Sequence, residues 1–86
     1  MRYYFKDFLS IEKEFVEKKI GMPITFRQKD VVMQGRISKL LYAVPNVLIQ
    51  PRIGKVEPFV GIKVELSGEK CVKLLFNDMT IDFIEF

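Results

Sequence analysis

The feature that most constrains this chain is a change of pattern at Gly21-Met22-Pro23. Before it, Phe5, Phe8, Leu9, Phe15, Val16 and Ile20 recur at steps of three, four and seven, the repeat of one helix face. After it, apolar and polar residues alternate with period two and β-branched residues become frequent, as in half-buried strands. The spacing predicts an amphipathic helix over residues 4–20, with Asp7 or Ser10 at its start and Lys18-Lys19, Gly21 and Pro23 as its stop signal. The aromatic stripe of this helix is expected to pack as a lid on the sheet or barrel that follows.

In the strand region, Ile24, Phe26 and Gln28 alternate with Thr25, Arg27 and Lys29, and Lys29-Asp30 reads as a tight turn. A long second strand follows from Val31, with Val31, Met33, Gly35 and Ile37 on one face and Val32, Gln34, Arg36 and Ser38 on the other. A glycine at mid-strand weakens pairing unless the backbone bends sharply or meets a neighbour, so Gly35 is expected at a bend. Pro45-Asn46 interrupts the pattern, Val47 to Gln50 reads as a short strand, and Pro51 to Pro58 as an irregular loop. Val60, Ile62, Val64 and Leu66 then alternate with Gly61, Lys63 and Glu65; Ser67-Gly68-Glu69 is a turn, Lys70 to Phe76 a strand, Asn77-Asp78 a turn and Thr80 to Phe86 the last strand. At 86 residues the chain holds one core, and no connection is long enough for a crossover helix. The expected fold is therefore mainly β (α+β): one domain, residues 1–86, with an N-terminal helix over 1–21 and a five- or six-stranded antiparallel barrel over 22–86.

The residue inventory narrows the chemistry. Histidine is absent and Cys71 is the one cysteine, which removes the commonest general base and any thiolate cluster. The glycines are isolated, so no phosphate loop is present, and Asp78 and Asp82 read as a turn residue and a strand-face residue rather than a catalytic pair. The chain is expected to be no enzyme and to use no metal or cofactor. Its apolar runs are far too short to span a bilayer, and its start carries no continuous apolar segment, so a cytoplasmic protein with no membrane partner is expected. Cys71 fits that compartment as a small buried hydrophobe in a strand.

Charge is distributed unevenly. Between residues 18 and 55 eight bases stand against Asp30 alone, whereas residues 56–86 hold three bases and six acids. Arg27, Lys29, Arg36, Lys39, Arg52 and Lys55, with the nearby aromatics Tyr42 and Phe59, form a candidate nucleic-acid surface: the bases neutralise phosphates and an aromatic ring offers a stacking platform. The partner class that follows is nucleic acid, RNA or DNA, or an acidic protein. The alternative is a protein-binding regulator or inhibitor of phage or mobile-element type, acting through a sheet edge or an apolar patch around Tyr3, Tyr4, Tyr42 or Phe59. The last strand, Thr80 to Phe86, reads as an unpaired edge and predicts a homo-oligomer, most simply a dimer.

The order of elements, with Gly35-Arg36-Ile37-Ser38-Lys39 followed by Pro45-Asn46-Val47-Leu48-Ile49, resembles the first motif of the Sm-like barrel, a member of the SH3-like small barrels. Leu75 to Ile84 occupies the place of the second motif; Pro45 and Phe76-Asn77 stand where that family carries an acidic residue and an Arg-Gly pair. Ile24-Thr25-Phe26, Gly35-Arg36-Ile37 and the ending Phe76 to Ile84 are also similar to the YolD-like proteins of low-GC bacteria and their phages. The second resemblance implies a regulatory or accessory role associated with DNA-damage polymerases and mobile elements rather than catalysis.

Overall fold

Alternation after Pro23 does what period two requires: it gives each strand one apolar and one polar face. A computed structural model describes residues 1–43 and 58–86. Six antiparallel strands, β1 (Arg2–Tyr4), β2 (Pro23–Gln28), β3 (Val31–Tyr42), β4 (Phe59–Glu65), β5 (Cys71–Leu75) and β6 (Ile81–Glu85), form one sheet in the order β1-β6-β2-β3-β4-β5. The inner face carries Ile24 and Phe26 of β2, Ile37 of β3, Ile62 and Val64 of β4, Leu74 of β5 and Ile84 of β6, all buried. Burying each such side chain stabilises the fold by about 1.5–3 kcal/mol. The expected short strand at Val47 to Gln50 and the loop at Pro51 to Pro58 lie wholly or, for the loop, almost wholly outside the described residues.

β3 is twelve residues long and serves two partners. Residues 31–36 pair with β2 and residues 36–42 with β4, so Arg36 faces both Pro23 and Glu65. The backbones crowd at this hand-over: a Cβ on Gly35 would run into the Glu65 carbonyl oxygen and come within 2.6 Å of Val64 Cγ1. The mid-strand glycine thus marks a close approach of a neighbouring strand rather than the expected bend.

The expected N-terminal helix is replaced by three short pieces. Arg2–Tyr4 is strand β1, Phe5–Ser10 is a 3-10 turn, and only Lys13–Glu17 is α-helical, here α1. The Ser10 hydroxyl donates to the Asp7 carbonyl at 2.6 Å and closes the 3-10 turn instead of capping a helix start. Ile11 and Glu12 then run extended, which lets Ile11 join Phe8 and Val16 in the core. Leu9, assigned to the apolar stripe by spacing, is 90% exposed. The stop signal does hold: Gly21 adopts φ +88° and β2 begins at Pro23.

Two further expectations are corrected. The sheet is open, not a barrel, because β1 and β5 are its edges and do not pair with each other. Tyr3 and Tyr4, read as helix, instead extend the sheet beyond β6, so a three-residue strand stands where a closing pair would have to form. For the same reason the last strand is no edge: β6 lies between β1 and β2, and Ile81, Phe83 and Ile84 are buried. The argument for a dimer through that strand falls with it. Tyr3, Phe15 and Phe86 meet edge to face at centroid distances of 5.2–6.4 Å and seal this side of the core.

The β2–β3 connection is a two-residue turn with Lys29 at φ +50° and Asp30 at φ +63°, the geometry that asparagine and glycine adopt with least strain. Replacing the pair (Lys29→Asn with Asp30→Gly) is expected to raise stability by about 1 kcal/mol, since left-handed backbone costs an ordinary residue roughly 1–2 kcal/mol. Thermal denaturation checks this, and an unchanged or lower midpoint refutes it. Gly35→Ala is expected to destabilise by about 1–3 kcal/mol in the same assay.

Candidate functional site

Of the basic residues singled out by sequence, Arg27, Arg36 and Lys39 stand on the sheet's outer face, but not as one cluster. Arg27 projects from β2 between two acids, 3.2 Å from Asp30 and 3.2 Å from Asp82. Its Nε meets Asp82 off the hydrogen-bond axis, so that contact is electrostatic. Lys29 sits in the hairpin turn, where its backbone amide donates to the Thr80 carbonyl at 3.1 Å. Arg36 donates from Nη1 to the Gly21 carbonyl at 3.2 Å. Arg52 and Lys55 lie outside the described residues.

Tyr42 does not join the basic side chains. It pairs in register with Phe59, which stacks edge to face on the buried Phe76 at 5.1 Å; the Tyr42 ring itself is half-buried, 6.3 Å from Phe59. The Lys13 ammonium lies 5.7 Å from the Tyr42 ring, within cation–π range. Tyr42 and Phe59 therefore belong to the inner aromatic cluster, and of the four residues offered as an apolar patch only Tyr4 is exposed, at 49%.

Lys39 is the member of the set that finds basic company. It stands directly opposite Lys63 of β4, and Lys63 directly opposite Lys73 of β5. Directly opposed residues share a face with Cβ atoms about 4.5–5.5 Å apart, so the three lysines form a row across the sheet. A bulge makes this possible. The pairing shifts between Ile37 and Lys39, and the extra residue, Ser38, turns Lys39 outward where strict alternation from Gly35 and Ile37 would turn it in. Among the described residues none of the three lysines makes an ion pair. Among the described residues, Glu65 stands one row away on this face, accepts a hydrogen bond from the Ser38 hydroxyl at 3.3 Å and lies opposite Arg36. On the other side of the lysine row lies an apolar one, Leu41, Gly61 and Leu75, also directly opposed.

Lys63 and Lys73 were missed by sequence reasoning because they fall in the acidic third of the chain. A signal was available: positions 63 and 73 are equidistant from Gly68, the centre of the β4–β5 turn, and each alternates with apolar neighbours. That symmetry places them opposite each other on the solvent face. The pairing with Lys39 had no such signal, since the bulge is not written as a local motif.

Asp78 and Asp82 take the separate places expected of them. Asp78 sits in the turn before β6 and accepts hydrogen bonds from the Thr80 hydroxyl at 2.6 Å, the Thr80 amide at 2.9 Å and Gln28 Nε2 at 3.1 Å. The Thr80 bonds hold its carboxyl below the ordinary value of 3.8. Asp82 lies exposed on β6 beside Arg27. Cys71, expected to be buried, is exposed at the start of edge strand β5. No helix among the described residues is long and apolar enough to cross a membrane. No family model, curated protein or solved structure matches the chain.

Two outcomes follow from this geometry. Like charges directly opposed destabilise a sheet by roughly 0.2–1 kcal/mol, so Lys63→Glu, which gives the row alternating sign, is expected to raise the denaturation midpoint; a fall would refute the opposition. Asp78 has a folded-state pKa below its unfolded value, so its contribution is present above the unfolded pKa and lost as pH falls through the folded one. Between about pH 5 and pH 2 the wild type should therefore lose stability more steeply than Asp78→Asn, and equal slopes would show that the turn carboxylate contributes nothing.

Proposed function

We propose that this chain is a non-catalytic nucleic-acid-binding module that acts through the outer face of β3, β4 and β5. The observation that carries the reading is the row Lys39, Lys63 and Lys73, three directly opposed ammonium groups without an ion-pair partner among the described residues. Ammonium groups held in a row attract a polyanion through counterion release, which needs no base recognition and no catalytic group. Arg36, on the same face of β3, adds to the positive field, whereas Arg27 is neutralised by Asp30 and Asp82 and contributes little.

A second reading, a protein-binding regulator, draws on the N-terminal segment. Phe5 and Leu9 are exposed on the 3-10 turn and Tyr4 just before it. Exposed apolar residues that follow one another in this way suit a protein partner, and binding there would depend weakly on salt.

Fluorescence anisotropy with labelled DNA and RNA, single-stranded and duplex, separates the two. Saturable binding that weakens with salt is expected, with a tenfold or greater loss on Lys63→Gln/Lys73→Gln and little change on Arg27→Gln. Absence of binding to every nucleic acid at low salt would overturn the proposal and direct the search to the Tyr4–Leu9 surface.

A further inference from the structure

Resting on that nucleic-acid reading, we infer that the outer face takes a single strand running across β3, β4 and β5, with its phosphates along the lysine row and its bases over the adjoining apolar row. Three observations converge. The first is charge density. Lys39 and Lys73 are separated by two interstrand gaps, about 10 Å at roughly 4.8 Å per gap. One nucleic-acid strand carries a charge about every 3.4 Å and a duplex about every 1.7 Å. That spacing belongs to a stacked strand and widens when the bases unstack, so over the width of the row a single strand presents at most about three phosphates and a duplex about six, and the row holds three ammonium groups.

The second observation is the polarity across the row. Lys39, Lys63 and Lys73 are each followed or preceded, two residues along the same strand face, by Leu41, Gly61 and Leu75. Leu75 is 38% exposed, and its Cδ2 lies over Gly61, 3.1 Å from where a Cβ there would stand. A charged row abutting an apolar one matches a strand whose bases are unstacked and turned aside from its backbone. A duplex hides its bases between two backbones and offers the apolar row nothing. The third is shape. A protein reads a duplex groove by inserting a helix or a two-stranded ribbon, but the lysines stand on a sheet face. Neither nearby hairpin stands free to enter a groove: β2–β3 is tied down at its turn by the Lys29 amide to Thr80, and β4–β5 is held in the sheet by the pairing of β4 with β3. Sheet faces do accept splayed single strands.

Salt and base dependence test the inference together. Anisotropy is measured with labelled oligothymidine, the same length of abasic strand, and the matched duplex. The single strand is expected to bind at least tenfold more tightly than the duplex, with log K falling against log salt at a slope of about −2, the value for three phosphates at roughly 0.7 each. Lys73→Gln should make the slope shallower by about 0.7. Leu75→Ser should weaken oligothymidine binding several-fold at an unchanged slope and leave the abasic strand unaffected. Equal or tighter duplex binding, or an abasic strand that binds as well as oligothymidine, overturns the inference while leaving a nucleic-acid module in place. Failure of all three ligands to bind overturns the module itself.

Discussion

The hand-over of β3 from β2 to β4 is the constraint on which the rest of the molecule depends. Twelve residues of one strand must satisfy two partners, and the transfer occurs at Arg36, which is paired on both sides. Backbone that crowded admits no side chain at position 35, and the extra residue at Ser38 resets the pleat immediately afterwards. Before the bulge, odd-numbered residues such as Ile37 face the core; after it, even-numbered Leu40 faces inward opposite Ile62 and odd-numbered Lys39 faces out. One local irregularity thus both keeps the apolar face continuous across the sheet and puts a lysine on the solvent face. The core and the candidate interface are two sides of the same bulge.

The second dependence lies at the other edge. β6 is buried because β1 covers its flank and because Arg2 lies over Phe83, 4.1 Å from the ring centroid, while pairing with Glu85. The first and last residues of the chain exchange backbone hydrogen bonds, Phe86 N–H to the Met1 carbonyl at 2.9 Å and the Met1 nitrogen to Phe86 at 3.0 Å. These are contacts of maximal sequence separation, and closing so long a loop costs more entropy than a local turn does. The apolar content of Tyr3, Phe83, Ile84 and Phe86 offsets that cost.

Much of the strand layout was legible in the sequence because its signals are local. The stop at Gly21 and Pro23 and the turns at Lys29-Asp30, Ser67-Gly68-Glu69 and Asn77-Asp78 all rest on backbone preferences of a few adjacent residues, whereas the reason for Gly35, the approach of Val64 and Glu65, does not. The helix was misread because periodicity counts apolar residues without asking where they go. Leu9 and Ile20 fit the stripe yet lie outside, whereas Ile11, off the stripe, is core. Tyr3 and Tyr4 instead pair with β6, a partner at the other end of the chain that no local pattern contains. The same holds for the site. Arg27 and Tyr42 carry suitable chemistry, but an acid at position 82 and an aromatic at position 59 claim them, and neither neighbour is near in sequence.

The proposed function treats the lysine row as more than a solvated face with an excess of charge, on energetic grounds. On an unconstrained surface lysines spread apart, since each directly opposed like-charge pair costs stability. Here two such pairs share Lys63, the half-buried middle member, while Glu65 on the same strand is turned to Ser38 rather than inserted into the row. An exchange of charge at position 63 would relieve both repulsions at once, and a fold under no other demand has that route to greater stability open to it. On the proposed function, a row of like charges kept at a cost is a surface whose value is realised when an anion lies on it. The adjoining apolar row of Leu41, Gly61 and Leu75 would then give that anion a side to face, so that in the proposed complex charge sets the path of the ligand's backbone and hydrophobicity which way its uncharged groups turn.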